Sequence, residues 1–165
     1  MAFDRYLRRG YFVFFAVLVV IAAIELAISA WLTSRYHEHH NYLSTTERDR
    51  VHFLLFCSIW STILSPILPT LLLLESAIFL TGIAANVIFL FLSWLFWLSG
   101  AAAITESLGG GLNCNFGYVY CGQLNALEAF AWIEWVLLTL GFTIVLVLAL
   151  RAIQRGEGYN GRLFL

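Results

Sequence analysis

The chain has 165 residues, of which 61% are hydrophobic and only 12% charged, with 9 basic residues against 10 acidic ones and a formal net charge of -1. A soluble domain carries about twice that charged fraction, so the composition excludes an ordinary water-soluble globule. Lysine is absent and no basic face is clustered, which excludes a typical nucleic-acid binder.

Crossing the hydrocarbon of a bilayer as helix takes about 20 apolar residues, and the chain offers four such stretches. The first is expected from about Tyr11 to Leu32, after the basic segment Arg5, Arg8, Arg9, and is interrupted only by Glu25. It is too long for the h-region of a cleavable signal, about 7–15 residues, and reads as a retained span closing at the interfacial Trp31. Met-Ala at the start and the absence of a prenylation box at the end give no expectation of a lipid anchor.

From Thr33 to Arg50 the sequence turns polar and is expected to form a hydrated loop. Its His37, His39 and His40 superficially suggest a metal site. A structural zinc site needs four well-placed ligands, and a solvated His-rich loop is the reading preferred here.

The next apolar stretch, Val51 to Ile104, is too long for one span and fits two joined by a tight turn. Pro66 and Pro69 would kink a helix, but Glu75, Ser76 and Gly82 form the stronger polar break. Spans are therefore expected at about 51–74 and 81–104. A glycine-rich loop follows, with Gly109, Gly110, Gly111, Cys114 and Cys121, before a fourth span at about 124–150 that ends on Arg151 and Arg155.

The expected fold is an all-α membrane protein, a four-transmembrane-helix bundle forming one domain. Arginines near span ends resist translocation. The termini hold Arg5, Arg8, Arg9, Arg151, Arg155 and Arg162, whereas the second loop holds none. Both termini are thus expected in the cytoplasm and both loops on the outer or lumenal side. In that oxidising setting Cys114 and Cys121, with six residues between them, are expected to form a disulfide. The alternatives are two free loop thiols or, less in keeping with the spacing, a redox pair. Cys57 reads as a small buried residue.

Glu25 and Glu134 stand out because ionisable groups inside a membrane are costly and are functional candidates by default. Glu25 is expected about 10 Å inward from Leu32 and Glu134 about 15 Å inward from Leu124. If the first and fourth spans are neighbours, the two carboxyls meet at similar depth, where they would share a proton or hold a lipid headgroup. At least one is expected to be neutral. The plainer reading is that each is protonated and hydrogen-bonded to a neighbouring helix.

Glu128, about one turn into the fourth span, reads as a helix N-terminal acid. Trp132 and Trp135 read as interfacial aromatics, with a lipid-binding face as the alternative; Trp94 and Trp97 read as belt or bundle packing. Neither G-x-S-x-G, H-E-x-x-H, a P-loop nor a Rossmann glycine pattern is present. No catalytic, cofactor or metal residues are assigned.

Particular stretches are similar to a known family. Ile24 to Leu32 with Arg35-Tyr36, Arg50 to Phe56 with Trp60, Phe96 to Ala101, and above all Tyr120 to Trp132 resemble fungal MARVEL-domain proteins. The resemblance covers nearly the whole chain. It departs from the family in the lack of basic residues between the second and third spans and in the short tail.

The resemblance implies a tetraspan protein without catalytic residues, acting in membrane apposition, vesicle trafficking or plasma-membrane microdomains. The expected partners are membrane lipids, such as sterols or sphingolipids, together with other membrane proteins or further copies of the chain. Small and aromatic faces such as Ser99, Gly100 and Ala103 would mediate the lateral contacts. The expected location is the plasma membrane or the secretory pathway. The alternative function is a small transporter or channel, or an accessory subunit, using Glu25 and Glu134.

Overall fold

The repeating unit that builds this protein is a heptad of buried positions. On the first helix the buried residues are Tyr11, Phe15, Leu18, Ala22, Glu25, Ser29, Leu32 and Tyr36, spaced alternately four and three apart. That period of 3.5 keeps one narrow seam facing the neighbours and favours left-handed, knobs-into-holes packing. The third helix has the same four-and-three spacing through Asn86, Leu90, Ser93 and Trp97 and again through Ala101, Ile104 and Leu108, with one extra step of four between the two runs.

The computed structural model describes residues 2–67, 70 and 83–154, with the side chains of 2–8, 83, 152 and 153 excepted. It comprises α1 (Ala2–His39), α2 (Thr45–Leu64), α3 (Ile83–Leu108) and α4 (Cys121–Gln154), with a short 3-10 turn at Cys114–Phe116 before α4. Among the described residues there is no strand. Each helix packs on two others in a closed circuit of α1, α2, α3 and α4, with the most extensive contacts between α1 and α2 and between α3 and α4.

The surface of this bundle is inverted relative to a soluble protein. Val13, Val17, Val20 and Ile24 on α1, Ile88 and Phe91 on α3, and Leu140, Ile144 and Val147 on α4 point outward and are exposed, whereas Glu25, Ser29, Ser58, Ser61, Ser93 and Glu134 are buried. An exterior of this kind is stable only where the solvent is itself apolar. Arg9–His39, Ala84–Leu108 and Cys121–Arg151 are each long and apolar enough to cross a membrane. As described, α2 falls short because its polar first turns, Thr45 to Arg50, leave only Val51–Leu64 as an apolar run.

α1 does not stop at Leu32. It continues to His39, because a polar stretch can remain helical once it leaves the bilayer, and Leu32 and Tyr36 carry the buried seam into it. The hydrated loop expected from Thr33 to Arg50 is thus mostly helix, leaving only a short link before Thr45. At 1.5 Å per residue α1 is about 57 Å long, well beyond the hydrocarbon thickness of about 30 Å.

α2 ends at Leu64, before Pro66, which has no amide hydrogen to continue the ladder. The chain turns helically again just beyond, where Thr70 N–H donates to the Pro66 carbonyl at 3.2 Å. Pro69, the turn expected at Glu75, Ser76 and Gly82, the expected end of the second span at Leu74 and start of the third at Thr81 lie outside the described residues, as does the tail from Arg155. α3 closes on a Schellman motif: Gly110 N–H donates to Thr105 O at 3.0 Å and Gly109 N–H to Glu106 O at 3.4 Å, with Gly109 at φ 69.

Candidate functional site

Two groups of buried carboxyls emerge from this frame, one in the middle of the bundle and one at its loop-bearing end. Glu25 on α1 and Glu134 on α4 are both 0% exposed. Glu25 lies about 21 Å along α1 from His39, and Glu134 about 20 Å along α4 from Cys121, at the helical rise of 1.5 Å. The two helices are neighbours, and the Glu25 carboxyl lies within electrostatic reach of Glu134 and of the Cys57 thiol on α2. The two acids singled out in the sequence thus lie on neighbouring helices, within electrostatic reach of one another.

None of their four oxygens has a hydrogen-bond partner among the described residues, and the indole nitrogen of the adjacent Trp135 is likewise buried and unpartnered. Ser29, one turn from Glu25, donates instead to its own helix, to Glu25 O at 2.8 Å. A buried polar atom without a partner costs about 1–3 kcal/mol. This interior cluster therefore has room in its hydrogen bonding for a proton, a water or a polar group from outside the chain.

The surrounding bundle leaves few other such groups. Tryptophans on α2, α3 and α4 reach across helix boundaries to hydroxyls: Trp60 Nε1 to Ser93 at 3.1 Å, Trp97 Nε1 to Ser61 at 2.8 Å, Trp94 Nε1 to Thr139 at 2.8 Å and Trp132 Nε1 to Thr105 at 2.9 Å. α3 both donates and accepts with each neighbour, an arrangement in which indole N–H groups are satisfied inside the bundle. Trp135 packs between Trp94 at 6.1 Å and Trp132 at 5.5 Å. Composition alone suggests an aromatic belt at such positions; the hydroxyl one helix away is what distinguishes the two arrangements.

Gly100 is buried against α2, where an added Cβ would come within 2.7 Å of Leu54 Cδ2, while Ser99 is exposed. This glycine therefore serves a helix contact inside the bundle. Gly141 does the same between α4 and α1: a Cβ there would meet the Phe14 ring at 2.1 Å.

At the loop-bearing end, Glu47 is 1% exposed and every oxygen is engaged. Its Oε1 accepts from the Tyr36 hydroxyl of α1, its Oε2 accepts from Leu43 N–H at 3.1 Å, and its own N–H donates to Ser44 Oγ at 3.0 Å. Ser44-Thr45-Thr46-Glu47 has the spacing of a capping box opening an apolar helix. That signal was available in the sequence and marks a residue otherwise assigned to a solvated loop. Arg50, also assigned there, crosses to α3 and bonds Ala103 O and Glu106 Oε2, the latter at 2.9 Å.

The second loop is tied to α4 by one disulfide and by two hydrogen bonds of Asn125. Cys114 and Cys121 form a disulfide across a Cα–Cα distance of 5.6 Å. Asn125 accepts from Leu112 N–H and donates to Leu112 O, both at 2.8 Å. Glu128 sits two turns into α4, which begins at Cys121, and its Oε2 lies near Gly111. Asn41 Nδ2 donates to Tyr120 OH at 3.1 Å, and the Trp31 ring meets Tyr120 edge-on at 5.1 Å. Both loops therefore occupy one end of the bundle. The described residues contain no group of three His, Cys, Asp or Glu placed to hold a metal ion.

An apolar exterior, three helices able to cross a bilayer and a polar, cross-tied end define a helical membrane protein. A sequence model of the MARVEL family, described as a membrane-associating domain, matches residues 6–144, and the chain belongs to that family. No curated protein and no solved structure matches it.

Proposed function

We propose that this chain is a non-enzymatic tetraspan of the fungal MARVEL type that organises membrane microdomains or trafficking through lateral contacts with lipids and other membrane proteins. In this reading the chain crosses the bilayer four times. Both termini face the cytoplasm, and the disulfide-bearing end faces the outside or the lumen of the plasma membrane or secretory pathway. The observation that carries the reading is the inverted surface. The outward valines, isoleucines and leucines of α1, α3 and α4 offer a broad apolar face, while the polar chemistry is turned inward or gathered at one end. Family membership adds the membrane-associating role.

The test is crosslinking in native membranes followed by gentle extraction of an epitope-tagged copy. Reproducible enrichment of particular sterols, sphingolipids or membrane proteins is expected. A lone homo-oligomer with no companions would count against the organiser.

A second reading rests on the unpartnered Glu25 and Glu134 carboxyls, which suit a polar path in a small transporter, a channel or an accessory subunit. Reconstituted protein would then show ion or proton flux that falls in Glu25→Gln and Glu134→Gln. Equal flux in all three proteins removes the motive for this reading.

A further inference from the structure

The histidines left unexplained by the bundle acquire a setting at its loop-bearing end. A cavity of about 320 Å³ opens between the end of α1 and the start of α2, within the size range of small-molecule sites. His37 lines it from α1, His40 and Tyr42 from the link between the helices, and Arg48 and His52 from α2. His39, on the same helical turn as His37, does not line it. Thr33 also borders the cavity, and its hydroxyl is buried without a hydrogen-bond partner among the described residues.

The lining is rich in donors and holds no acid. Arg48 is steadied over the Tyr42 ring at 5.3 Å, and its Nε and one terminal nitrogen both bond Asp49 Oδ1, at 3.2 and 3.0 Å. That pair is solvent-exposed and therefore weak, and a guanidinium has five N–H donors, so Arg48 keeps donors for a ligand. Each imidazole donates through one ring nitrogen when neutral and through both when protonated.

The nearest buried acid, Glu47, has both oxygens committed, to the Tyr36 hydroxyl and to Leu43 N–H. No three of the titratable groups converge on a metal. Donors spread around a cavity of this size suit a group that presents several acceptor oxygens at once. A phosphate does so, and it forms the strong, charge-assisted bonds that arginine favours.

We propose that this cavity binds a terminal phosphate group, one with three or more unesterified oxygens, held by Arg48, His37, His40 and His52. The proposal is independent of the organiser role and goes beyond it. The same chemistry is offered by a lipid headgroup and by free phosphate, and the experiment separates them.

The full-length wild-type protein, purified in dodecyl maltoside, is treated with diethylpyrocarbonate, and modification of each histidine is followed by mass spectrometry. Four conditions are compared: no addition, inorganic phosphate, a short-chain phosphatidic acid, and the matching diacylglycerol. At a ligand concentration about ten times the Kd, occupied sites should react about tenfold more slowly. His37, His40 and His52 are expected to be protected by phosphatidic acid while His39 is unchanged. Protection by phosphatidic acid alone assigns the site to a lipid headgroup, whereas equal protection by inorganic phosphate assigns it to the free anion.

Protection of all four histidines together, of none, or equally by diacylglycerol overturns the proposal. Arg48→Gln, with helicity and the disulfide verified, is expected to abolish protection. Undiminished protection in that variant would also overturn it.

Discussion

Glu47 and the pair Glu25 and Glu134 are equally buried and chemically alike, yet they stand in opposite conditions. Glu47 sits where two helices leave the bilayer region, and a tyrosine hydroxyl, a backbone amide and a capping serine all address it. Glu25 and Glu134 sit midway along α1 and α4, surrounded by helices whose backbone groups are already paired, and no described donor reaches them. Helix ends supply free N–H groups; helix middles do not. Burial alone does not tell what an acid does. The supply of donors decides whether it acts as a clamp or remains available.

The sharpest way to break this comparison is Glu47→Ala. It strips the acceptor from the Tyr36 hydroxyl and the Leu43 amide and should cost about 2–6 kcal/mol, since each such group left unpaired costs about 1–3. Thermal unfolding in detergent would show a clear fall in Tm, and an unchanged Tm would mean the clamp carries no stability.

Next in size is the same end's covalent tie. Cys121→Ser should cost about 2 kcal/mol, low in the usual range because the closed loop is short. Denaturant unfolding with and without reductant measures it, and reductant should have no further effect on the variant.

Trp97→Phe, which deletes the bond to Ser61, is expected to cost about 0.6 kcal/mol beyond its packing loss, the mean for interhelical bonds in membranes. The cycle with Ser61→Ala isolates that term.

The smallest effect, and the informative one, belongs to the interior. Glu25→Met or Glu134→Met should be neutral to stabilising, by about 0–2 kcal/mol, because no hydrogen bond is lost and a buried polar group is removed. A loss as large as that of Glu47→Ala would reveal a partner for these acids and erase the contrast.

Much of the helical frame was legible from hydropathy. Apolar length located α1, α3 and α4, the glycine run located the loop after α3, and the cysteine pair located its tie. Similar depth makes Glu25 and Glu134 a pair only on the condition that the first and fourth spans are neighbours, which hydropathy does not decide. What hydropathy could not express was the behaviour of polar segments outside the bilayer. Thr33 to His39 and Thr45 to Arg50 are polar enough to read as loop, yet they are helical because their seam residues Tyr36 and Glu47 meet.

Asn125 carries no signal in the sequence for a related reason: its pair of hydrogen bonds to Leu112 depends on how the glycine loop folds back, which spacing does not encode. The tryptophans were ambiguous because a membrane interface and a hydroxyl on the next helix satisfy an indole equally well. Only the placement of Ser61, Ser93, Thr105 and Thr139 decides between them.

The close approach of Phe14 to Gly141 bears on register. A seam that repeats every seven residues is nearly indifferent to sliding one helix past another by a heptad, about 10.5 Å, since Leu18, Glu25 and Leu32 occupy equivalent positions. A ring that fits only where its neighbour lacks a Cβ removes that indifference. Gly141 thereby sets which level of α1 faces which level of α4, and with it how far apart along the bundle Glu25 and Glu134 stand.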